Sequence, residues 1–404
     1  MEKVPEVFLE FTSDQEACEA SFQNSIKIIE NKYQVNLPLK QENINLGNSF
    51  AVALKRFENL EKRFVLNPTL YFDYKKFIDE YIQLGHAKIV HYDPKILNNG
   101  EVYFMAHHPV IREDKKTTKL RIVFDGSIKS KSKKCLNDFL YNGAVVQNEL
   151  FDILILFRIY KYIISTDIKQ MFRMILIHPE DRRYLNILWR EPHSELKCIQ
   201  LQTITYGLRS SSFLATRCLV ELANTEGQNF PLAAKALINN TYVDDILAGS
   251  DTIEEAKKLK NELIYLLQLR SFSLHKWCSN DPRIISDIPK ENQHFDEIDI
   301  NKINFVVKTL GLSYDTITDN FKLSSPKINI NDCLTKRQVL SFISKFYDPL
   351  GLAGPVLVKA KVIMQTIWLR KIKWDEVLPN DLQEIWKNFI TGLINMPVLK
   401  IPRN

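Results

Sequence analysis

The sequence predicts an α+β fold, a mixed or antiparallel sheet packed on helices and preceded by a helical lead-in. Three observations lead there. Short apolar runs of strand character alternate with amphipathic stretches of helical period through residues 100–315. One such strand ends in a carboxylate, Asp167, and a later apolar hairpin carries the pair Asp244-Asp245. Before residue 85 the apolar spacing is helical instead.

Leu46-Gly47-Asn48-Ser49 starts a helix whose apolar positions Ala51, Val52, Leu54, Phe57 and Leu60 recur at near-helical spacing. A second amphipathic run extends from Tyr71 to Leu84 and ends at Gly85-His86, so residues 1–85 read as a helical N-terminal extension. From Val102 the pattern turns strand-like, in Val102-Tyr103-Phe104-Met105 and in Leu120-Arg121-Ile122-Val123-Phe124, with a basic segment between them. Leu150 to Tyr160 is apolar and long enough for a buried helix. Tyr162-Ile163-Ile164-Ser165-Thr166-Asp167 reads as a core strand, Tyr184 to Trp189 and Cys198 to Leu201 as two more strands, and Ser210 to Asn224 as a helix. Thr241 to Gly249 reads as strand, tight turn and strand, with both aspartates at the tip. Thr252-Ile253-Glu254-Glu255 has the form of a capping box before a helix with Ile253, Ala256, Leu259, Leu263, Leu266 and Leu267 on one face. From Lys336 onward, Pro349, Gly351, Gly354 and Pro355 punctuate apolar runs in a further small unit.

A chain of 404 residues has material for two or three packed units. With 45% apolar and 25% charged residues it lies far from the composition of disordered chains. The net charge of +6 raises the prior for a polyanionic partner, and its distribution matters more than its size. Lys115, Lys116, Lys119, Arg121, Lys129, Lys131, Lys133 and Lys134 crowd one region, although a solvated loop face would look the same. Six cysteines without a paired short spacing argue against a zinc ribbon or a disulfide framework and for a reduced, intracellular protein. No stretch reaches the roughly 18 apolar residues of a membrane span, so no membrane partner is expected.

The aspartates carry the chemistry. In-line phosphoryl displacement needs two hard cations about 3.5–4 Å apart, and carboxylates supply the oxygen ligands and charge to hold them. Asp167 on a strand and Asp244-Asp245 on a neighbouring hairpin provide such a set. An Asp-Asp turn alone is ordinary turn chemistry. Delivered by the apolar strand Tyr242-Val243, it is far more specific, because hydrophobic strands do not normally present two adjacent charges without a use for them. Asp125-Gly126-Ser127 is too short a match to an aspartic protease. His107-His108, or His275 near Cys278, lacks a second ligand pair. Cys218 reads as core packing.

Around these residues the chain resembles reverse transcriptases of LTR retroelements, in particular the BEL/Pao type of retrotransposon polyprotein. The resemblance rests on Lys119-Leu120-Arg121-Ile122-Val123-Phe124-Asp125, Leu136-Asn137-Asp138, Leu150-Phe151-Asp152-Ile153-Leu154, Asp167-Ile168-Lys169-Gln170-Met171-Phe172 and Thr205-Tyr206-Gly207-Leu208-Arg209-Ser210-Ser211. It continues through Tyr242-Val243-Asp244-Asp245, Lys276-Trp277-Cys278-Ser279-Asn280, Lys308-Thr309-Leu310-Gly311-Leu312 and Phe346-Tyr347-Asp348-Pro349-Leu350-Gly351-Leu352.

The resemblance implies a right-hand polymerase, with fingers and palm over residues 86–315 and a thumb or connection-like segment over 316–404. It implies that Asp167, Asp244 and Asp245, with the Ile168 carbonyl, hold two Mg2+ ions for which Mn2+ substitutes. Arg121, with Lys115 or Lys116, would grip the triphosphate of a deoxynucleotide. Phe172 would be a steric gate against a ribose hydroxyl, with plain core packing as its alternative. Tyr206 and Gly207 would lie by the nascent base pair, Lys276 would protonate the leaving pyrophosphate, and Leu310-Gly311 would position the primer end. Ser212 departs from the family pattern, which commonly has proline there. The chain is expected to stop before any RNase H or integrase region. Implied partners are a primed RNA or DNA template, deoxynucleoside triphosphates and other parts of a retrotransposon polyprotein, in the cytoplasm or in virus-like particles. The competing reading is a truncated, catalytically impaired remnant that only binds nucleic acid. A cyclase-like palm enzyme would leave the fingers and primer-grip motifs unexplained.

Overall fold

The computed structural model describes residues 11–41, 44, 46–92, 101–111, 120–294, 306–309, 312–323, 335–395 and 398–404, with backbone alone at 306–309. They divide into two compact units. One comprises Met1–Gln147, Ile168–Ala234 and Ile264–Ser273, and the other Asn148–Asp167, Lys235–Leu263 and Leu274–Asn404. Both units contain helices and strands, with antiparallel pairing predominant in their sheets. Among the described residues no helix is long and apolar enough to cross a membrane.

In the first unit, the helix Phe50–Leu66 buries Ala53, Phe57, Leu60 and Phe64, one stripe at helical spacing. Pro68–Gln83 follows at once because Pro68 suits a first helical turn and the Asn67 side chain accepts from Leu70 N (3.1 Å). Its end is a Schellman cap: Gly85 at φ +72°, with Gly85 N donating to Ile82 O (3.0 Å) and His86 N to Tyr81 O (2.9 Å). The buried stripes of the two helices meet at Trp189, which stacks on Tyr74 at 5.6 Å and 8° and has Phe57 at 5.9 Å. Such ring contacts add about 0.5–1.5 kcal/mol each beyond area burial. Two three-stranded sheets and the pair Ala106–Ile111 with Leu120–Asp125 complete the unit's strands.

Several expected elements shift. The N-terminal region is not wholly helical: Lys27–Ile29 and Lys32–Val35 form a hairpin whose turn residues Glu30 and Asn31 have φ +49° and +61°. Two positive φ values mark a type I′ turn, whose usual Asn-Gly or Asp-Gly signal is absent here. Residues 102–105 are buried but do not form a strand. Tyr103 N donates to Arg183 O, Phe104 N to Ser49 Oγ and Met105 N to Asn186 O, so the run is sewn across other segments and the strand begins only at Ala106. Tyr184 closes a 3-10 turn, and its strand starts at Asn186.

The second unit is built on a four-stranded sheet in the order Thr241–Tyr242, Asp245–Ser250, Tyr162–Ile168, Leu274–Ser279. Helix Leu150–Ile159 is buried on one face only: Ile153, Leu154 and Phe157 point inward while Phe151, Ile155 and Ile159 are exposed. With Ile163 and Leu247 of the sheet they join one core that includes Tyr314, Phe321, Phe342, Ile363, Trp386 and Ile390. Those last residues come from a second antiparallel sheet, Val306–Thr309, Leu312–Asp315, Asn320–Leu323 and Leu399–Pro402, and from helices Lys336–Lys345, Gly354–Leu369 and Asn380–Ile394. A full capping box, Thr335 with Gln338, starts the first of these helices.

Arg403 ties this unit together. Its guanidinium, wholly buried, makes a fork to Asp319 (Nε to Oδ1 2.6 Å, Nη2 to Oδ2 2.8 Å) and donates from Nη1 to Phe157 O (2.8 Å) and Tyr160 O (2.6 Å). The planar donor fork thus satisfies carbonyls left unpaired at the end of helix Leu150–Ile159.

Candidate active site

Asp167 lies near the end of a strand whose side chains at 163, 164 and 168 are fully buried. That strand pairs antiparallel with Asp245–Ser250 in a register running from Ser250 opposite Tyr162 to Asp245 opposite Asp167. Directly opposed residues project from the same face, so Asp167 and Asp245 are neighbours on one side of the sheet. The register is fixed because a one-residue slip would turn Leu247, fully buried, out of the core.

Tyr242 pairs with Asp245, which leaves Val243 and Asp244 as the two turn residues. Only one of the two aspartates is therefore at the tip, and Asp245 belongs to the second strand. Val243 has φ +57°, as the first position of a type II′ turn requires. Glycine normally occupies that position. A β-branched residue held there stores strain on the order of 1–3 kcal/mol, which concentrates at functional sites.

Two basic side chains face Asp167. His275 Nε2 is 3.3 Å from Oδ1, and the Lys276 ammonium forms an ion pair with Oδ2. Adjacent residues of a regular strand point to opposite faces. Lys276 has φ +55°, which breaks the pleat and lets both side chains reach one carboxylate. Thr166 Oγ1 donates to His275 O (2.9 Å) and Ser279 Oγ to Ile163 O (2.7 Å), holding the two strands together. Burial pushes the Asp167 carboxyl up, but the His275 and Lys276 contacts outweigh it and hold the group below the ordinary carboxylate range. Asp167 is ionised. The pairing of His275 with Asp167 was not legible in the sequence, where its neighbour of interest was Cys278; that thiol is buried and pushed up to about 12.

The donor set suits a hard divalent cation. Asp167 and its cross-strand neighbour Asp245 offer carboxylate oxygens of one charge sign on one face, with Asp244 next in the turn. Among the described residues no three His, Cys, Asp or Glu side chains are already gathered as a metal cluster. The positive charge at Asp167 Oδ2 is that of Lys276.

Phe172, Tyr206, Gly207 and Arg121 belong to the first unit. Phe172, in the turn Met171–Met174, is buried and packs against Tyr206 at 4.7 Å and 42°, while Tyr206 is 42% exposed. Gly207 has φ +93°, and a Cβ there would stand 1.8 Å from Phe124 O, so only glycine fits. Asn137 clasps this corner, donating to Gly207 O and accepting from Arg209 N, both at 2.9 Å. The motif at 136–138 contained that residue without revealing its role. Arg121 is exposed on its strand opposite Val110. Lys115, Lys116, Leu310 and Gly311 lie outside the described residues. Of the weaker candidates, His107 is enclosed between the Tyr74 hydroxyl and Leu188 O, and burial lowers it to about 4, so it is a neutral core histidine. The five described cysteines are free.

Residues 335–404 match the family model of the Pao retrotransposon-like RNaseH-like domain. This corrects the expectation that the chain stops before any RNase H-like sequence. Within that stretch Asp348 accepts from Leu352 N and Ala353 N, Asp375 pairs with Arg337, and Asp381 with Arg370. No curated protein sequence matches the chain. Among solved structures, a foamy viral protease-reverse transcriptase dRH in complex with double-stranded DNA is similar over 81% of this chain and 48% of its own, at 16% identity and TM-score 0.50. A foamy viral protease-reverse transcriptase in complex with RNA/DNA hybrid is similar over 83% of this chain and 38% of its own, at 16% identity and TM-score 0.52. The likeness is one of fold, and the chain spans less than half the length of either.

Proposed function

We propose that the chain is the polymerase part of a retroelement reverse transcriptase, with fingers and palm followed by a thumb-like segment that runs into the RNaseH-like match at 335–404. The observation that carries this reading is the pairing of Asp167 with Asp245 on one sheet face, beside a strained turn that presents Asp244. The likeness of fold to foamy viral enzymes and the Pao-type family match support it.

In this reading Asp167, Asp244 and Asp245 hold the divalent cations, with the Ile168 carbonyl as a further ligand. Mg2+, when bound, supplies the charge that offsets the phosphate oxygens. Arg121, with Lys115 or Lys116, orients the triphosphate through fork and point-charge contacts. Phe172, packed against Tyr206, acts in this reading as the steric gate against a ribose 2′-hydroxyl. The primer 3′-hydroxyl gives its proton to water, its oxygen bonds to the α-phosphorus as the bond to pyrophosphate breaks, and Lys276 is the proton donor to the leaving group.

Purified protein should extend an oligo-dT primer on poly-rA with Mg2+ or Mn2+, and Asp244→Asn should abolish the extension. Salt-sensitive primer-template binding without incorporation under either metal would instead favour the non-catalytic remnant.

A further inference from the structure

Lys276 occupies an oxygen that the proposed reaction needs for metal. Its ammonium lies on Asp167 Oδ2 while His275 takes Oδ1, so each oxygen of the central carboxylate already has a side-chain partner. This arrangement is built rather than incidental. Lys276 sits in a strand yet adopts φ +55°, a conformation that L side chains rarely take and that lets consecutive residues converge on one carboxylate. Thr166 and Ser279 pin the same strand to the Asp167 strand from both ends.

The partners differ in how firmly they are held. Asp167 is 16% exposed, whereas the Lys276 side chain is 46% exposed and ends in a compact charge on a flexible stem. Such a group can leave without carrying backbone with it.

Building on the reading above, we infer that Lys276 is an exchangeable counter-cation: its ammonium neutralises Asp167 in the metal-free chain and must leave Oδ2 before that oxygen can ligate a divalent cation. Departure frees the ammonium at the step where the same reading requires a proton donor. One lysine would thereby link metal loading to readiness for chemistry. It also gives Asp167 a counter-charge when no metal is present.

Two measurements on the full chain test this, neither of them activity. Mn2+ binding, followed by loss of the free-ion electron spin resonance signal, is expected to tighten about tenfold in Lys276→Met, equivalent to about 1.4 kcal/mol. Lys276→Arg should show no such gain, and Asp167→Asn should remove the gain when combined with Lys276→Met. In the unaltered chain, labelling of Lys276 by an amine-reactive ester, read by mass spectrometry, should rise severalfold on adding Mg2+. If Mn2+ binds the unaltered chain while Lys276 labelling stays constant, the exchange is overturned and the metal-site reading survives. If no variant, Lys276→Met included, binds Mn2+, the metal-site reading itself falls and the exchange with it.

Discussion

Asp167 and Asp319 lie in the same compact unit, and each is a desolvated carboxylate held by a cation, yet the two pairs are built for different ends. Arg403, wholly buried, fixes Asp319 with two parallel bonds and spends its remaining donors on backbone carbonyls. Lys276, nearly half exposed, meets Asp167 as a single point charge. A guanidinium that has lost all its water can be removed only by unfolding its surroundings, whereas a solvated ammonium can be traded for another cation. Strain sides with the exchangeable pair: positive φ is cheap for Asp319, a turn aspartate, and costly for Val243 and Lys276.

The largest effects should separate the two aspartates. Asp167→Asn is expected to lower primer extension by about 10³-fold or more, on the order of 4 kcal/mol in the transition state, with the urea midpoint little changed. A large loss of stability in that variant would erase the contrast with Asp319. Arg403→Met, by orphaning Asp319 and the carbonyls after helix Leu150–Ile159, should cost about 3–5 kcal/mol in urea unfolding. A cost near that of a surface pair would show that Arg403 is not the keystone described.

Acid should sharpen the comparison. Burial pushes the Asp319 carboxyl up, but the Arg403 fork and the Tyr314 hydroxyl outweigh it and hold the group below its ordinary value. The native state therefore binds that proton less readily than the unfolded chain does. The pairing stabilises above about pH 4, the unfolded value, and is lost as pH falls through the lower folded value. Unfolding free energy measured across this range should fall more steeply in the unaltered chain than in Asp319→Asn. The smallest effect belongs to Lys276→Met, expected to change stability by about 1 kcal/mol or less, since the ammonium itself is nearly half exposed and the His275 contact stays in place.

Periodicity made much of the fold legible. The Asp167 strand, the aspartate hairpin, the paired helices of the first unit and the helix after Thr252 all announce themselves, because burial of one face imposes a repeat that any window of sequence displays. The Glu30-Asn31 hairpin did not, since its turn uses positive φ without the residues that usually betray it. The run at 102–105 misled because fully buried backbone looks like strand whether its donors meet a ladder or scattered acceptors.

By itself, then, the sequence determined which residues carry charge, which faces are apolar, and that three aspartates sit on strand and hairpin elements. Tertiary structure alone decided the partners: Arg403 meets Asp319 across 84 residues and Phe157 across 246, and Lys276 meets Asp167 across 109. The reason is physical. Periodicity records what a residue needs from its nearest turn or pleat, while the identity of a counter-charge is set by sheet order, register and one left-handed residue at 276, none of which leaves a local trace.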